Sequence, residues 1–161
     1  MTDIKLLTAQ AENFIEGGAL TLASMANISS FIFHEVKNIN WAGFYLWSDR
    51  LQRLVLGPFC GKAACTLIDE GRGVCGTALK SRQTEIVDNV HSFRGHIVCD
   101  SASLSEIVVP LYANDIKLGV FDIDSPVEKR FGKDMALFFE NIADLFVKRC
   151  GDSLAALSAV L

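Results

Sequence analysis

No stretch of this sequence holds the roughly 18 continuous apolar residues that a membrane-spanning helix requires. A basic excess is missing too. The 15 Lys and Arg face 19 Asp and Glu, the net charge is −4, and the acidic residues are dispersed rather than gathered into a tail. Nucleic acid and anionic membrane surfaces are therefore excluded as expected partners. The opening segment MTDIKLLTAQAENF has an acid at position 3 and no long apolar stretch, so it is not expected to be a secretory signal. The five cysteines are an odd number, which fits badly with a closed disulfide framework. A reducing, cytoplasmic setting is expected, where disulfides are transient and catalytic. The sequon Asn27-Ile28-Ser29 lies inside a helical pattern and is a chance match. Zinc ligands usually come in close pairs. Cys65 and Cys75, with His96 and Cys99 in an H-x-x-C spacing, form no such arrangement, so no zinc site is expected. Repeats, linkers and low-complexity stretches are also lacking.

Half of the 161 residues are apolar. That is enough for one domain over 1–161 to bury a core without a metal or a disulfide staple. Apolar spacing predicts helices over 3–16 and about 19–36, separated by Gly17-Gly18. WAGFYLW (41–47) and QRLVLGPF (52–59) read as strands joined by a tight turn. CTLID (65–69) and EIVD (85–88) are short strands flanking a short helix from Val74 to Gln83. Residues 89–104 show no period, and a loop of that length is more often functional than idle. SEIVVPLYA (105–113) and IKLGVFDIDS (116–125) form a hairpin across Asn114-Asp115. Pro126 ends the sheet, and Asp134–Cys150 is an amphipathic helix. The tail DSLAALSAVL either extends that helix or docks on a partner. The expected class is α+β: an antiparallel sheet with the terminal helices on one face and the central loops covering a ligand on the other.

Chemistry concentrates between Gly57 and Pro110, where Cys65, Cys75 and Cys99 stand in a glycine-punctuated segment. Three thiols in such a setting suggest sulfur redox chemistry, provided that one is activated and a second can reach it. Asp122 and Asp124 lie two apart on a strand and so share a face. Glu106 lies on the neighbouring strand. Trp41 and Tyr45 share a face of their own strand.

The words GPFCGKAAC, GRGVCGTAL, GHIVCDSAS and SEIVVP, followed by GVFDIDSP, resemble the free methionine-(R)-sulfoxide reductases, which are single GAF domains. The resemblance runs from about Asn40 to Phe131. It implies reduction of the R epimer of free methionine sulfoxide, without metal or organic cofactor and with thioredoxin as electron donor. It implies Cys99 as nucleophile, Cys65 as main resolving thiol and Cys75 as an additional or alternative one. Glu106, Asp122 and Asp124 match the carboxylates of the substrate pocket, and Trp41 and Tyr45 its aromatic wall. Cys60 and Arg94 depart from the pattern, where glutamine and proline are usual. Attack by Cys99 would leave a sulfenic acid that condenses with Cys65, and either Glu106 or Asp124 would protonate the departing oxygen. A homodimer is left open. A non-catalytic GAF sensor of small molecules and a thiol redox switch are the competing readings.

Overall fold

Strand β1 (Trp41–Ser48) is buried along its whole length, and the molecule is organised around it. In this computed structural model, which describes residues 4–95 and 101–161, β1 pairs on one side with β2 (Arg53–Gly61) and on the other with β6 (Ile116–Ser125). β3 (Leu67–Asp69) extends the sheet beyond β2, while β5 (Ser105–Ala113) and β4 (Glu85–Val87) extend it beyond β6. The order is β3-β2-β1-β6-β5-β4, and every pairing is antiparallel. This is the expected α+β architecture.

Alternation along the strands creates two separate cores. Ala42, Phe44 and Leu46 of β1 join Ile107, Val109 and Leu111 of β5 and Phe121 and Ile123 of β6 on one face. Helices α1 (Ile4–Glu12), α2 (Thr21–Glu35) and α4 (Lys133–Val160) cover that face with Leu7, Met25, Ile28, Phe139, Ile142 and Phe146. Stacked rings of Phe44 and Phe121, with centroids 4.6 Å apart, mark its centre. On the other face Trp41, Tyr45, Trp47, Leu54, Val108 and Val120 pack with Val74, Cys75, Ala78 and Leu79. The last four belong to helix α3 (Gly73–Ser81). The sequence reading left this face to loops. The structure adds a helix, and Gly76 lets it approach, because a Cβ there would collide with the carbonyl oxygen of Asp69.

Helix α1 is shorter than expected, and of the two expectations for the tail the extended helix is the one observed. Helix α1 stops at Glu12, and residues 13–15 close in turns of i→i+3 bonds before Gly17-Gly18. The C-terminal tail continues α4 to Val160 rather than leaving the fold. It is anchored by the Asp49 amide donating to the Ser158 carbonyl at 2.9 Å and by Arg50 Nε donating to the Leu161 carbonyl at 3.1 Å. Cys150 is buried on α4 and its thiol donates to the Glu16 carbonyl, as befits a structural residue. Among the described residues no helix is long and apolar enough to cross a membrane.

Gly119 is the tightest backbone contact in the central pair. Its φ is +144°, and a Cβ there would run into the carbonyl oxygen of Tyr45 on β1. Gly119→Ala is expected to destabilise the protein by about 3 kcal/mol, because an L residue resists this φ and the obstacle is backbone that cannot swing aside. Urea denaturation monitored by circular dichroism measures the loss.

Candidate active site

The site is written in the register of three neighbouring strands. Trp41 on β1 lies opposite Asp124 on β6, which lies opposite Glu106 on β5. One step along, Gly43 faces Asp122, which faces Val108. Directly opposed residues hold their side chains on the same face, about 4.5–5.5 Å apart. The three carboxylates are therefore neighbours by construction. Gly43 lets Phe59 and the Trp41 ring close over β1, since a Cβ there would press on both.

Helix α3 lowers Cys75 onto this cluster. Its thiol stands 3.9 Å from Glu106 Oε1, and Cys75 Sγ and one oxygen each of Glu106 and Asp122 all lie within 4.8 Å of one another. Cys75, Asp122 and Glu106 are 4%, 5% and 6% exposed, whereas Asp124 is half-buried. Asp122 Oδ1 is buried with no hydrogen-bond partner among the described residues. Burial, then the charges of Asp122 and Asp124, push the Glu106 carboxyl far above the usual range. Burial raises Asp122 to about 7, against the pull of hydrogen bonds with Cys75 and Glu106. Burial and the same carboxylates push the Cys75 thiol up strongly. In this arrangement Cys75 is a protonated thiol, and a thiol is a poor nucleophile.

Stability should follow these carboxyls. The folded state holds a proton on Asp122 over a pH range where the unfolded chain, with its ordinary value of 3.8, has lost it. The stabilisation is fully present below that ordinary value and is lost as pH rises through about 7. Urea midpoints are expected to fall between about pH 4 and about pH 7, and Asp122→Asn is expected to flatten the decline.

Trp41 and Tyr45 form a wall and also a pair of tethers. Their rings stack with centroids 5.9 Å apart, and Trp41 stacks on Phe59 at 5.3 Å. Trp41 Nε1 donates to the Lys62 carbonyl at 3.1 Å, and the Tyr45 hydroxyl donates to the Cys65 carbonyl at 3.1 Å. The phenol is held neutral, chiefly by burial and then by Asp122. These two bonds hold the β2–β3 connection over the carboxylates. The cavity, about 40 Å³, is lined by Trp41, Tyr45, Cys75, Glu106, Asp122 and Asp124 together with the connection and the start of α3.

All the expected site residues that are described converge on this cavity except Cys65, which packs against the same core from the connection above it. Cys65 is disulfide-bonded, while Cys60, Cys75 and Cys150 are free. Cys99, with its neighbours His96 and Asp100, lies outside the described residues. Cys60 is placed away from the site. It pairs with Ala42, whose side chain points to the α2 face, because an irregularity at Gly57-Pro58 shifts the register of β2. Sequence reasoning missed Arg72 and Ser103, which also line the cavity. Arg72 is the residue that precedes α3 and makes no side-chain capping bond to it, and Ser103 accepts from Asn40 Nδ2 at 3.0 Å. The Gly-Arg-Gly word before α3 was the available signal for Arg72. For Ser103 there was none.

The GAF domain family model matches residues 23–147. Over 110 residues the chain is 54% identical to the free methionine-R-sulfoxide reductase of Escherichia coli, covering 68% of this chain and 66% of that protein. It is 42% identical over 153 residues to the enzyme of the same name from Saccharomyces cerevisiae, covering 91% and 85%. The X-ray structure of free methionine-R-sulfoxide reductase from Neisseria meningitidis in complex with its substrate superposes with a TM-score of 0.88 at 35% identity, over 97% of this chain and 92% of that one. The carboxylate row, the thiols around it and these likenesses together establish that the chain is a GAF domain of the free methionine-R-sulfoxide reductase family.

Proposed function

We propose that this protein reduces free methionine (R)-sulfoxide to methionine, with Cys99 as nucleophile, Cys65 as resolving thiol and thioredoxin as electron donor. The observation that carries the reading is a pair of buried carboxyls, Glu106 and Asp122, that line one cavity and are biased toward the neutral form, beneath a connection that carries a disulfide-bonded Cys65. Such carboxyls can give a proton to an oxygen that is leaving sulfur. Glu106, pushed far toward the neutral form by burial and by the charges of Asp122 and Asp124, is the acid in this scheme.

The zwitterion has a place for each end. Asp122 and Asp124 receive the ammonium group through charge-assisted hydrogen bonds. Arg72, the one Lys or Arg among the described lining residues, faces the carboxylate. Trp41 packs on the methyl group and sulfur. A residue within a peptide lacks both charged ends, which accounts for selection of the free amino acid.

The Cys99 thiolate attacks the sulfoxide sulfur while Glu106 protonates the oxygen. The oxygen passes to Cys99 as a sulfenic acid and methionine leaves with the sulfur reduced by two electrons. The Cys65 thiol then displaces water from the sulfenic acid to give a disulfide, and a thioredoxin dithiol returns both thiols by exchange. Cys65 being bonded while Cys60, Cys75 and Cys150 remain free supports Cys65 in the resolving role. Cys75, beside Glu106, then acts in this scheme as a reserve thiol.

Racemic free methionine sulfoxide incubated with the protein, thioredoxin, thioredoxin reductase and NADPH tests the reading. Loss of the R epimer alone is the expected result, and persistence of both epimers would refute it. Cys65→Ser is expected to release about one methionine per chain in a burst and then slow sharply, since only the protonated reserve thiol Cys75 is left to take the sulfenic acid back to thioredoxin. Quantifying methionine in the first turnover separates these two phases.

A further inference from the structure

The floor of the cavity holds more acid than the structure neutralises. Buried charges are ordinarily paired or coordinate metals. Asp122 and Glu106 are almost wholly enclosed, neither forms a salt bridge among the described residues, and the single lining cation, Arg72, is exposed at the rim. Asp122 Oδ1 is aimed into this space without a partner among the described residues. A thiol completes the group.

We propose that Cys75 Sγ, Glu106 and Asp122 form a binding site for a thiophilic divalent cation of the zinc class, and that the ion competes with the substrate ammonium group for the floor of the cavity. The ligand set is one thiolate and two carboxylates, which selects zinc or cadmium over magnesium or calcium. Zinc–sulfur bonds are about 2.3 Å and zinc–oxygen bonds about 2.0–2.2 Å. Ligand atoms already within 4.8 Å of one another need only a small carboxylate rotation to close on one ion. The fourth position opens toward the cavity. Binding expels the protons of the Cys75 thiol and of whichever carboxyls are protonated to solvent, so it strengthens as pH rises. No electron transfer is involved.

Substrate competition rests on the proposed function, whereas the ion site itself does not. Cadmium(II) titration of full-length protein carrying Cys65→Ser and Cys99→Ser separates them, because those two thiols can then contribute nothing. The expected result is an ultraviolet cadmium–thiolate absorption that saturates at about one ion per chain and is accompanied by proton release. Adding Cys75→Ser should remove the absorption. Asp122→Asn in its place should keep a folded pocket but weaken binding by at least the roughly 10–100-fold that even an outer-shell change costs. An absorption unchanged without Cys75 would assign the ion to Cys60 or Cys150 and overturn the site. Affinity unchanged in Asp122→Asn would overturn the three-ligand geometry. Free methionine is expected to raise the apparent dissociation constant for cadmium in proportion to its concentration. Binding that methionine leaves untouched would overturn the competition while leaving the ion site standing. Failure of sulfoxide turnover by the unsubstituted protein would remove the proposed function and not the absorption.

Discussion

Cys99→Ser is expected to abolish reduction of methionine sulfoxide, by on the order of 10⁴–10⁶-fold in kcat/KM, the scale seen when a nucleophile is deleted from a site that acts as a unit. The reason is chemical rather than steric. Serine differs from cysteine by one atom, but its oxygen cannot accept a second oxygen atom and pass it on to a thiol. The variant should retain the secondary structure and bind free methionine normally, because the carboxylate row, the aromatic wall and Arg72 are contributed by other elements. Stopped assays of methionine formation, with isothermal titration as the binding control, measure both halves. Turnover within tenfold of the unsubstituted protein would move the nucleophile to another thiol.

Glu106→Gln is expected to lower kcat by roughly 10²–10⁴-fold, the usual contribution of a positioned general acid. Gln fills the same volume and can still donate an N–H, but it has no proton to surrender. Binding should change less than kcat, since Asp122 and Asp124 remain. The pH profile supplies the second readout. The Glu106 carboxyl is pushed far above the ordinary carboxylate range by burial and by its acidic neighbours, so the protonated, active form persists to higher pH than a free carboxyl would allow. Activity should fall as pH climbs through that raised value, and the limb should disappear in Glu106→Gln. The same variant should lose part of the decline of stability with rising pH, since it removes a group that binds its proton more tightly folded than unfolded. A profile unchanged in the variant would place the acid at Asp124.

Much of this arrangement could be read from residue spacing. The two-residue step between Asp122 and Asp124 and the four-residue step between Trp41 and Tyr45 place each pair on one face, and both face the cavity. Period-two arithmetic holds for these strands because the β1–β6 register carries no irregularity. It fails on β2. Counting in twos from Leu54 and Leu56 would bring Cys60 to the site. The shift at Gly57-Pro58 turns it to the other face, and only the pairing with β1 reveals that. Helix α3 was legible as a helix but not as the lid of the second core, because its covering role depends on where α3 sits in space. The difference between Asp122 and Asp124 was invisible for the same reason: two identical side chains on one strand end up buried and half-buried according to what α3 places above them. Arg72 gave no periodic signal, since it belongs to neither a strand nor the body of a helix.

The central sheet has a further consequence. Phe44, Phe121 and Phe146 interlock on the side away from the cavity, so the part of the molecule that bears its weight shares no side chains with the core that lines the site. In the proposed cycle the sulfur chemistry would rearrange one compartment while the opposite one stays at rest. The sheet acts as a bulkhead between the two compartments.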